Sequence, residues 1–216
     1  MGLPSGLLWA PMNMDARQER GFAESPFLYD CSFVSWGNVE PHSPNNDNAH
    51  FDYDWGGVNQ QEPWYDGQVY GSTLGSELET DIDIAHDVAN LICGGKWRMP
   101  KSAEFKELFD NCDYVQADGT TIIDAGTTDK RVTVNGVLGI YMKSKINGNL
   151  LFFACSGYGD GTSWKNRGSS GHCWSASFRS ARDAYGLSFD SGGVRPRSWE
   201  HRYNGFAVRP VYDLSL

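Results

Sequence analysis

Hydrophobic positions spaced three and four residues apart predict two short helices in the middle third of the chain. Between Asp81 and Ile92, apolar residues occur at positions 84, 88, 91 and 92, the spacing of one helical face. Gly94 and Gly95 follow as a C-terminal stop. The first helix is therefore expected to be amphipathic and to end at these glycines.

The second helix is predicted from Ser102, its expected N-cap, to about Asn111. Its apolar residues Phe105, Leu108 and Phe109 are expected to turn inward, because they fall on one side of a helix.

Beyond Asp113 the pattern changes to short apolar runs broken by Gly, Asn and Asp, which predicts strands and hairpins. The runs cover residues 131–134, 137–142 and 150–153, and the turn Asn147-Gly148 precedes the last of them. Residues 206–211 are expected to form a closing strand.

Residues 184–190 alternate between large apolar and small or polar side chains. Alternation of period two places Tyr185, Leu187 and Phe189 in the core. It also predicts that the other three side chains face outward, namely those of Gly186, Ser188 and Asp190.

From Phe22 to Gly75 the chain is acidic, aromatic and rich in turn residues, without sustained periodicity. Its tryptophans Trp36, Trp55 and Trp64 favour a long ordered excursion over a linker. Because there is no internal repeat and no Pro-rich boundary, residues 1–216 are predicted to form a single domain.

The composition supports a packed core: 216 residues are 40% hydrophobic and 13% aromatic. The formal charge is −9, from 18 basic and 27 acidic residues. Residues 164–216 differ, with eight Lys and Arg against four acids. The overall charge argues against nonspecific nucleic-acid binding, because phosphates attract cationic surfaces.

No apolar run is long enough for a membrane helix, and the first nine residues lack a charged segment followed by an apolar one. We therefore expect neither an anchor nor a signal peptide. The five cysteines form no CxxC pair, which disfavours a zinc or dithiol redox site. Buried reduced thiols are favoured, and one structural disulfide is the alternative.

An ordered series of short motifs covers nearly the whole chain. Its members are Gly6–Ala10, Trp36–Gly37, Gly95–Pro100, Glu104–Leu108, Asn135–Gly139, Gly171–Ser175 and Arg202–Val211. The series resembles the C-type-lectin-fold domains of the formylglycine-generating-enzyme type found in gut Bacteroidetes and their phages. The resemblance implies an α+β, C-type-lectin-like fold, in which two helices pack on short antiparallel sheets with many long ordered loops.

A narrower resemblance concerns residues 174–211, which are similar to the variable region of proteins diversified by retroelements. In such proteins a reverse transcriptase introduces errors at template adenines, so that certain codons vary while the scaffold stays fixed. The resemblance implies that residues 174–211 are the variable ligand-binding region. The implied ligand-binding positions are Phe178, Arg179, Ala181, Arg182, Asp183, Gly186, Ser188, Asp190, Arg195, Arg197, Ser198, Trp199, Glu200 and His201.

The residue types agree with a binding surface on a fixed scaffold. Within residues 174–211, residues expected in the core alternate with residues too diverse to share one structural role. The residues expected in the core are Trp174, Tyr185, Leu187, Phe189, Val194, Tyr203 and Val208. Tryptophan, phenylalanine and arginine dominate binding hot spots, and here they are Phe178, Trp199 and four arginines. The alternative is that residues 195–201 are a solvated loop.

Signals for catalysis or metal binding are weak. Formylglycine-generating enzymes use a reactive cysteine pair a few residues apart, whereas Cys155 and Cys173 are eighteen positions apart. The five histidines (His42, His50, His86, His172 and His201) show no HxH or HExxH spacing. We therefore expect no catalytic residues, no bound metal and no cofactor.

The calcium motifs of sugar-binding lectins are also missing, which puts classical lectin activity in doubt. The oxygen-rich run Asn45–Asp54 is read as a solvated turn, with a structural cation as the alternative. The glycine-dense segments Gly157–Gly161 and Gly168–Gly171 are read as turns and not as phosphate loops.

The leading hypothesis is a noncatalytic recognition domain that binds a protein or glycan on another surface, without nucleic-acid binding or membrane insertion. Display on a phage particle or bacterial surface is implied by the resemblance. One alternative is an adhesin or lectin that is not diversified and binds a fixed glycan through aromatic faces such as Trp64 and Tyr65. The other is a divergent enzyme of the formylglycine-generating fold.

Overall fold

The computed structural model describes residues 1–45, 50–52, 55, 81–180 and 182–216. This part of the chain is mixed α/β, dominated by strands in small sheets. Its helices are α1 (Val88–Cys93) and α2 (Ser102–Asp110), and a 3₁₀ turn covers Ile84–His86. The strands are β1 (Leu8–Trp9), β2 (Phe33–Val34), β3 (Trp97–Arg98), β4 (Cys112–Tyr114), β5 (Arg131–Val134), β6 (Val137–Ser144), β7 (Leu150–Ala154), β8 (Tyr158–Asp160), β9 (Ser163–Lys165), β10 (Gly171–Phe178), β11 (Asp183–Asp190), β12 (Gly193–His201), β13 (Phe206–Ala207) and β14 (Val211–Tyr212).

The largest sheet in the described residues has the order β12-β11-β10-β13-β2. Strands β10, β11 and β12 follow one another as an antiparallel meander, and β12 lies at the edge. A smaller sheet, β1-β14-β3, joins the two ends of the chain by pairing Leu8 with Tyr212. Strand β6 pairs with β4, β5 and β7, and β8 pairs with β9 as a separate hairpin.

The strands predicted in residues 131–153 are confirmed. Strand β5 has the expected limits, while β6 and β7 extend the expected ends by two residues and one residue. The tight connection between β5 and β6 is Asn135-Gly136, with φ values of 50° and 80°. Positive φ at both residues is what a type I′ hairpin turn requires.

The first helix is shorter than the periodicity predicts. Asp87 interrupts it, because its buried carboxylate caps α1 by accepting from the Asn90 N–H and also accepts from the Met99 N–H at 2.9 Å. Val88 is buried, but Ile84 and Leu91 are 54% and 50% exposed, so the prediction of one continuous apolar face is wrong. The stop at Gly94 is confirmed.

The second helix is confirmed, with its N-cap one residue earlier than expected. The cap is Lys101, whose backbone N–H donates to the Glu104 carboxylate at 2.7 Å. Phe105 and Leu108 are fully buried as predicted, and Phe109 is only partly buried. The helix ends at Asp110, next to the expected limit.

The main core lies around α2 and the large sheet. Phe105, Leu108, Leu187 and Phe189 belong to one buried cluster. A second cluster includes Trp174, which stacks on Phe206 at 4.2 Å between ring centroids. All five cysteines carry free thiols; Cys93 is partly buried and the other four are buried.

The expected closing strand is two strands in two different sheets, because Arg209 lies between them. Its buried guanidinium donates to the Asn13 side chain at 2.8 Å and to the carbonyls of Pro11 and Phe152 at 2.6 and 2.9 Å. Burial lowers the pKa of Arg209 to about 10. Arg209 thus connects residues 11–13, strand β7 and its own segment at the point where the chain passes from β13 to β14.

In the long excursion, Trp36 and Trp55 are fully buried, as expected of an ordered segment. Trp64 and most of the Asn45–Asp54 run lie outside the described residues.

Candidate functional site

The candidate binding region lies on β11 and β12, whose pairing contains an irregularity. Ser188 pairs with Arg195 and Gly186 pairs with Ser198, so Pro196 and Arg197 together lie opposite Leu187. Two residues opposite one define a β-bulge. Proline is tolerated there because a bulged residue does not need to donate an N–H to the neighbouring strand. Because a bulge shifts the alternation, Arg195 lies on the opposite face of the sheet from Arg197 and Trp199.

The first face carries a surface that we name the Trp199 patch, consisting of Arg179, Tyr185, Arg197 and Trp199. Tyr185 and Trp199 are directly paired across the strands. The guanidinium of Arg179 lies 4.4 Å from the centre of the Trp199 ring, and that of Arg197 lies 4.4 Å from the Tyr185 ring. Each such contact contributes about 0.5–1 kcal/mol at an exposed site. Trp199 remains 53% exposed, so the patch offers an aromatic surface flanked by two cations.

Asp183 fixes the position of the patch at the β10–β11 turn. Its carboxylate accepts from Arg179 Nη1 at 3.1 Å, from Ser180 Oγ at 3.1 Å and from His201 Nδ1 at 2.8 Å. The His201 ring stacks on Tyr203, with centroids 5.2 Å apart. The guanidinium of Arg179 is therefore held by the Asp183 carboxylate as well as by the Trp199 ring.

The second face borders a concavity of about 570 Å³, which we name the acidic cleft. Its opposite wall is the β8–β9 hairpin, which contributes Tyr158 and Asp160. From the sheet come His172, Asp190 and Glu200, and the loop before β10 contributes Ser169 and Ser170 among its residues.

Burial and ion pairing shift several titrations in the cleft. Burial raises the pKa of the Glu200 carboxyl, which accepts a hydrogen bond from Ser198 Oγ at 3.0 Å. Burial lowers the pKa of His172 to about 4, so this imidazole is neutral at pH 7. The hydrogen bond from Arg195, at 2.6 Å, lowers the pKa of Asp190.

The residues expected to bind ligand divide between these two faces. Arg179, Asp183, Arg197 and Trp199 lie at the Trp199 patch. Asp190, Arg195, Ser198 and Glu200 lie at or beside the acidic cleft, and His201 borders the cleft while its Nδ1 is hydrogen-bonded to Asp183. Arg182 is exposed in the β10–β11 turn, Phe178 packs partly buried near Trp36, and Ala181 lies outside the described residues.

Two of the expected outward positions are wrong. Ser188 is 1% exposed, because Arg195 extends over it and donates from Nε to its Oγ. Gly186 is buried, and a Cβ atom there would lie 2.6 Å from the carbonyl oxygen of Cys173. Both residues therefore support the sheet and present no side chain to a ligand.

Three residues expected in the core are only partly buried: Tyr185, Val194 and Tyr203. Tyr185 is the one that matters for the site, since it underlies Arg197. The alternating pattern of β11 predicts that Tyr185 points into the core like Leu187 and Phe189. No sequence signal indicated that Tyr185 lies at the edge of the core, where it is only partly buried. The acidic cleft was also not predicted, because its walls come from strands far apart in sequence.

The thiols considered for catalysis are unfavourably placed. Burial raises the pKa of both Cys155 and Cys173 to about 12, and a protonated thiol is a poor nucleophile. Among the described residues, no group of three or more His, Cys, Asp or Glu side chains is arranged to hold a metal ion. No helix in the described ranges has the length and apolar character needed to cross a membrane.

Comparison with protein-family models, with curated proteins and with solved structures finds no match to this chain.

Proposed function

We propose that the chain is a noncatalytic recognition domain that binds a protein or glycan on another surface through the Trp199 patch. The observation that carries the proposal is the combination of a half-exposed tryptophan with two arginines stacked on aromatic rings. Tryptophan, tyrosine and arginine are the residues that contribute most to binding hot spots.

The support beneath the patch favours tight recognition. Leu187 and Phe189, further along β11, are fully buried in the main core. Asp183 and the two stacked ring contacts limit the arginine conformations before any ligand arrives. Since less side-chain entropy is lost on contact, more of the interaction energy contributes to affinity.

We also propose that the fold is C-type-lectin-like and that the surface is a diversified one. The pairing of the two chain ends, the two helices and the long irregular segments are consistent with such a fold. Arg182, Arg197 and Trp199 are exposed, so exchange at these positions should leave the buried core unchanged. Buried Gly186 does not, which narrows the set of positions that can vary.

The experiment is a binding screen with fluorescently labelled protein against whole bacterial cells and a glycan array. We expect one specific target, bound without added metal. The result against the proposal is the absence of binding from both screens, or binding that survives removal of the Trp199 side chain.

A further inference from the structure

We infer that the acidic cleft is a second binding site, which takes a cationic group of the primary-ammonium class. The cleft lies on the opposite side of the sheet from the Trp199 patch, because Glu200 follows Trp199 in β12 and successive side chains point to opposite faces. This site therefore stands or fails independently of the proposed recognition surface.

The shape of the cleft suits a small ligand or a single long side chain. Its volume of about 570 Å³ is within the range of small-molecule sites. One wall is the large sheet and the other is the β8–β9 hairpin, so a guest would be contacted from two sides.

The charges of the cleft do not balance. The guanidinium of Arg131 is already engaged by Asp129 at 2.7 Å and by the carbonyl of Ser169. Arg195 is likewise paired with Asp190.

This leaves the carboxylates of Asp160 and Glu200, neither of which forms an ion pair within the described part of the chain. A negatively charged ligand is disfavoured, and an ammonium group placed between the walls would balance this charge.

A second observation comes from His172 on the wall of the cleft. Its Nε2 is hydrogen-bonded with Ser170 Oγ at 3.1 Å, while its Nδ1 is buried without a partner among the described residues. Buried polar atoms are nearly always satisfied, so an orphaned one at a cavity wall indicates that a guest or water completes it. The imidazole is neutral at pH 7 and so does not compete for the carboxylates.

Aromatic rings supply the apolar contacts that the carbon stem of an amine requires. Tyr158 packs against His172 and Phe206, with centroids 5.1 and 5.9 Å apart, and all three border the cleft. An alkyl ammonium would therefore place its head group at the carboxylates and its stem along the rings.

The test is titration calorimetry with two sources of the ammonium group. One probe is 1,5-diaminopentane, a free amine; the other is a lysine peptide, measured beside the same peptide with acetylated lysines. Methyl glucoside, a neutral polyol, serves as the third ligand. We expect at least one amine source to bind, with an affinity that falls several-fold between 50 and 500 mM salt.

Variants locate the site. Glu200→Gln and Asp160→Asn should each weaken amine binding about tenfold, whereas Asp124→Asn, an exposed carboxylate elsewhere, should not. Trp199→Ala should leave amine binding unchanged. Circular dichroism checks that each variant is folded, and the replacement at the half-buried Asp160, on the opposite wall, keeps the test decisive if the one at Glu200 impairs folding.

Three outcomes overturn the inference: no binding of either amine, a lysine peptide that binds equally well after its lysines are acetylated, or preferential binding of methyl glucoside. Binding of the diamine alone supports a small free amine as the guest, and binding of the peptide supports a protein side chain.

Discussion

Replacement of Gly186 by alanine tests whether position 186, within the proposed variable segment of residues 174–211, is free to vary. The added Cβ would lie 2.6 Å from the carbonyl oxygen of Cys173, closer than such contacts occur in folded proteins. The obstacle is backbone in the centre of the β10–β11 ladder, so it cannot rotate aside. Forcing a methyl group into such a site costs about 1–3 kcal/mol.

The assay is urea unfolding followed by tryptophan fluorescence, with Gly126→Ala as the matched control. A Cβ at Gly126 meets nothing within 4 Å, so that variant should match or slightly exceed the wild type in stability. If Gly186→Ala and Gly126→Ala unfold at the same urea concentration, the assignment of Gly186 to the scaffold is refuted. Position 186 would then return to the set of variable positions.

Two further predictions concern buried ionisable groups. Arg209→Leu should lower the free energy of unfolding by about 3–5 kcal/mol, because it leaves the buried oxygens of Asn13, Pro11 and Phe152 without a donor. The control Arg182→Leu, at an exposed position, should change the free energy of unfolding little. Equal unfolding midpoints of the two variants in urea would contradict the account. His172 has a folded pKa of about 4, below its usual 6.5, so the unfolded chain binds more protons between these values and stability should fall as the pH drops from 6.5 towards 4. In His172→Gln that part of the pH dependence, roughly 1.4 kcal/mol per pH unit at most, should be missing from urea unfolding curves, and its persistence would show that other groups cause it.

Local sequence signals predicted those elements whose determinants lie close together in the chain. The strands of residues 131–153 follow from short apolar runs broken by turn residues, among them Asn147-Gly148. The second helix follows from its apolar face. The first helix was mispredicted because the carboxylate of Asp87 serves the distant Met99 as well as the helix, a contact that no periodicity reveals.

The candidate site was predicted in its residue types and not in its geometry. Trp199 and the arginines stand out by chemistry, but an unbroken alternation would place residues 195, 197 and 199 on one face. The bulge that separates them was signalled only by Pro196, a residue typical of edges and bulges. The acidic cleft requires the packing of β8 against the large sheet, which depends on contacts remote in sequence.

The central claim is that Trp199 and Arg197 bind a ligand and contribute little to the fold. The measurement is the affinity of the double variant Trp199→Ala/Arg197→Ala for the target recovered from the cell and glycan screen, taken together with its melting temperature. The control is Ile122→Ala/Arg20→Ala, which removes an exposed apolar and an exposed cationic side chain elsewhere.

Hot-spot residues contribute about 2 kcal/mol or more each, so the double variant should lose about a thousandfold or more in affinity. Its melting temperature should fall by no more than about 8 °C, because the two stacked contacts that it removes contribute only about 1–2 kcal/mol together at an exposed site. The control should keep full affinity. Unchanged affinity of the double variant, or a protein that no longer folds, would contradict the account.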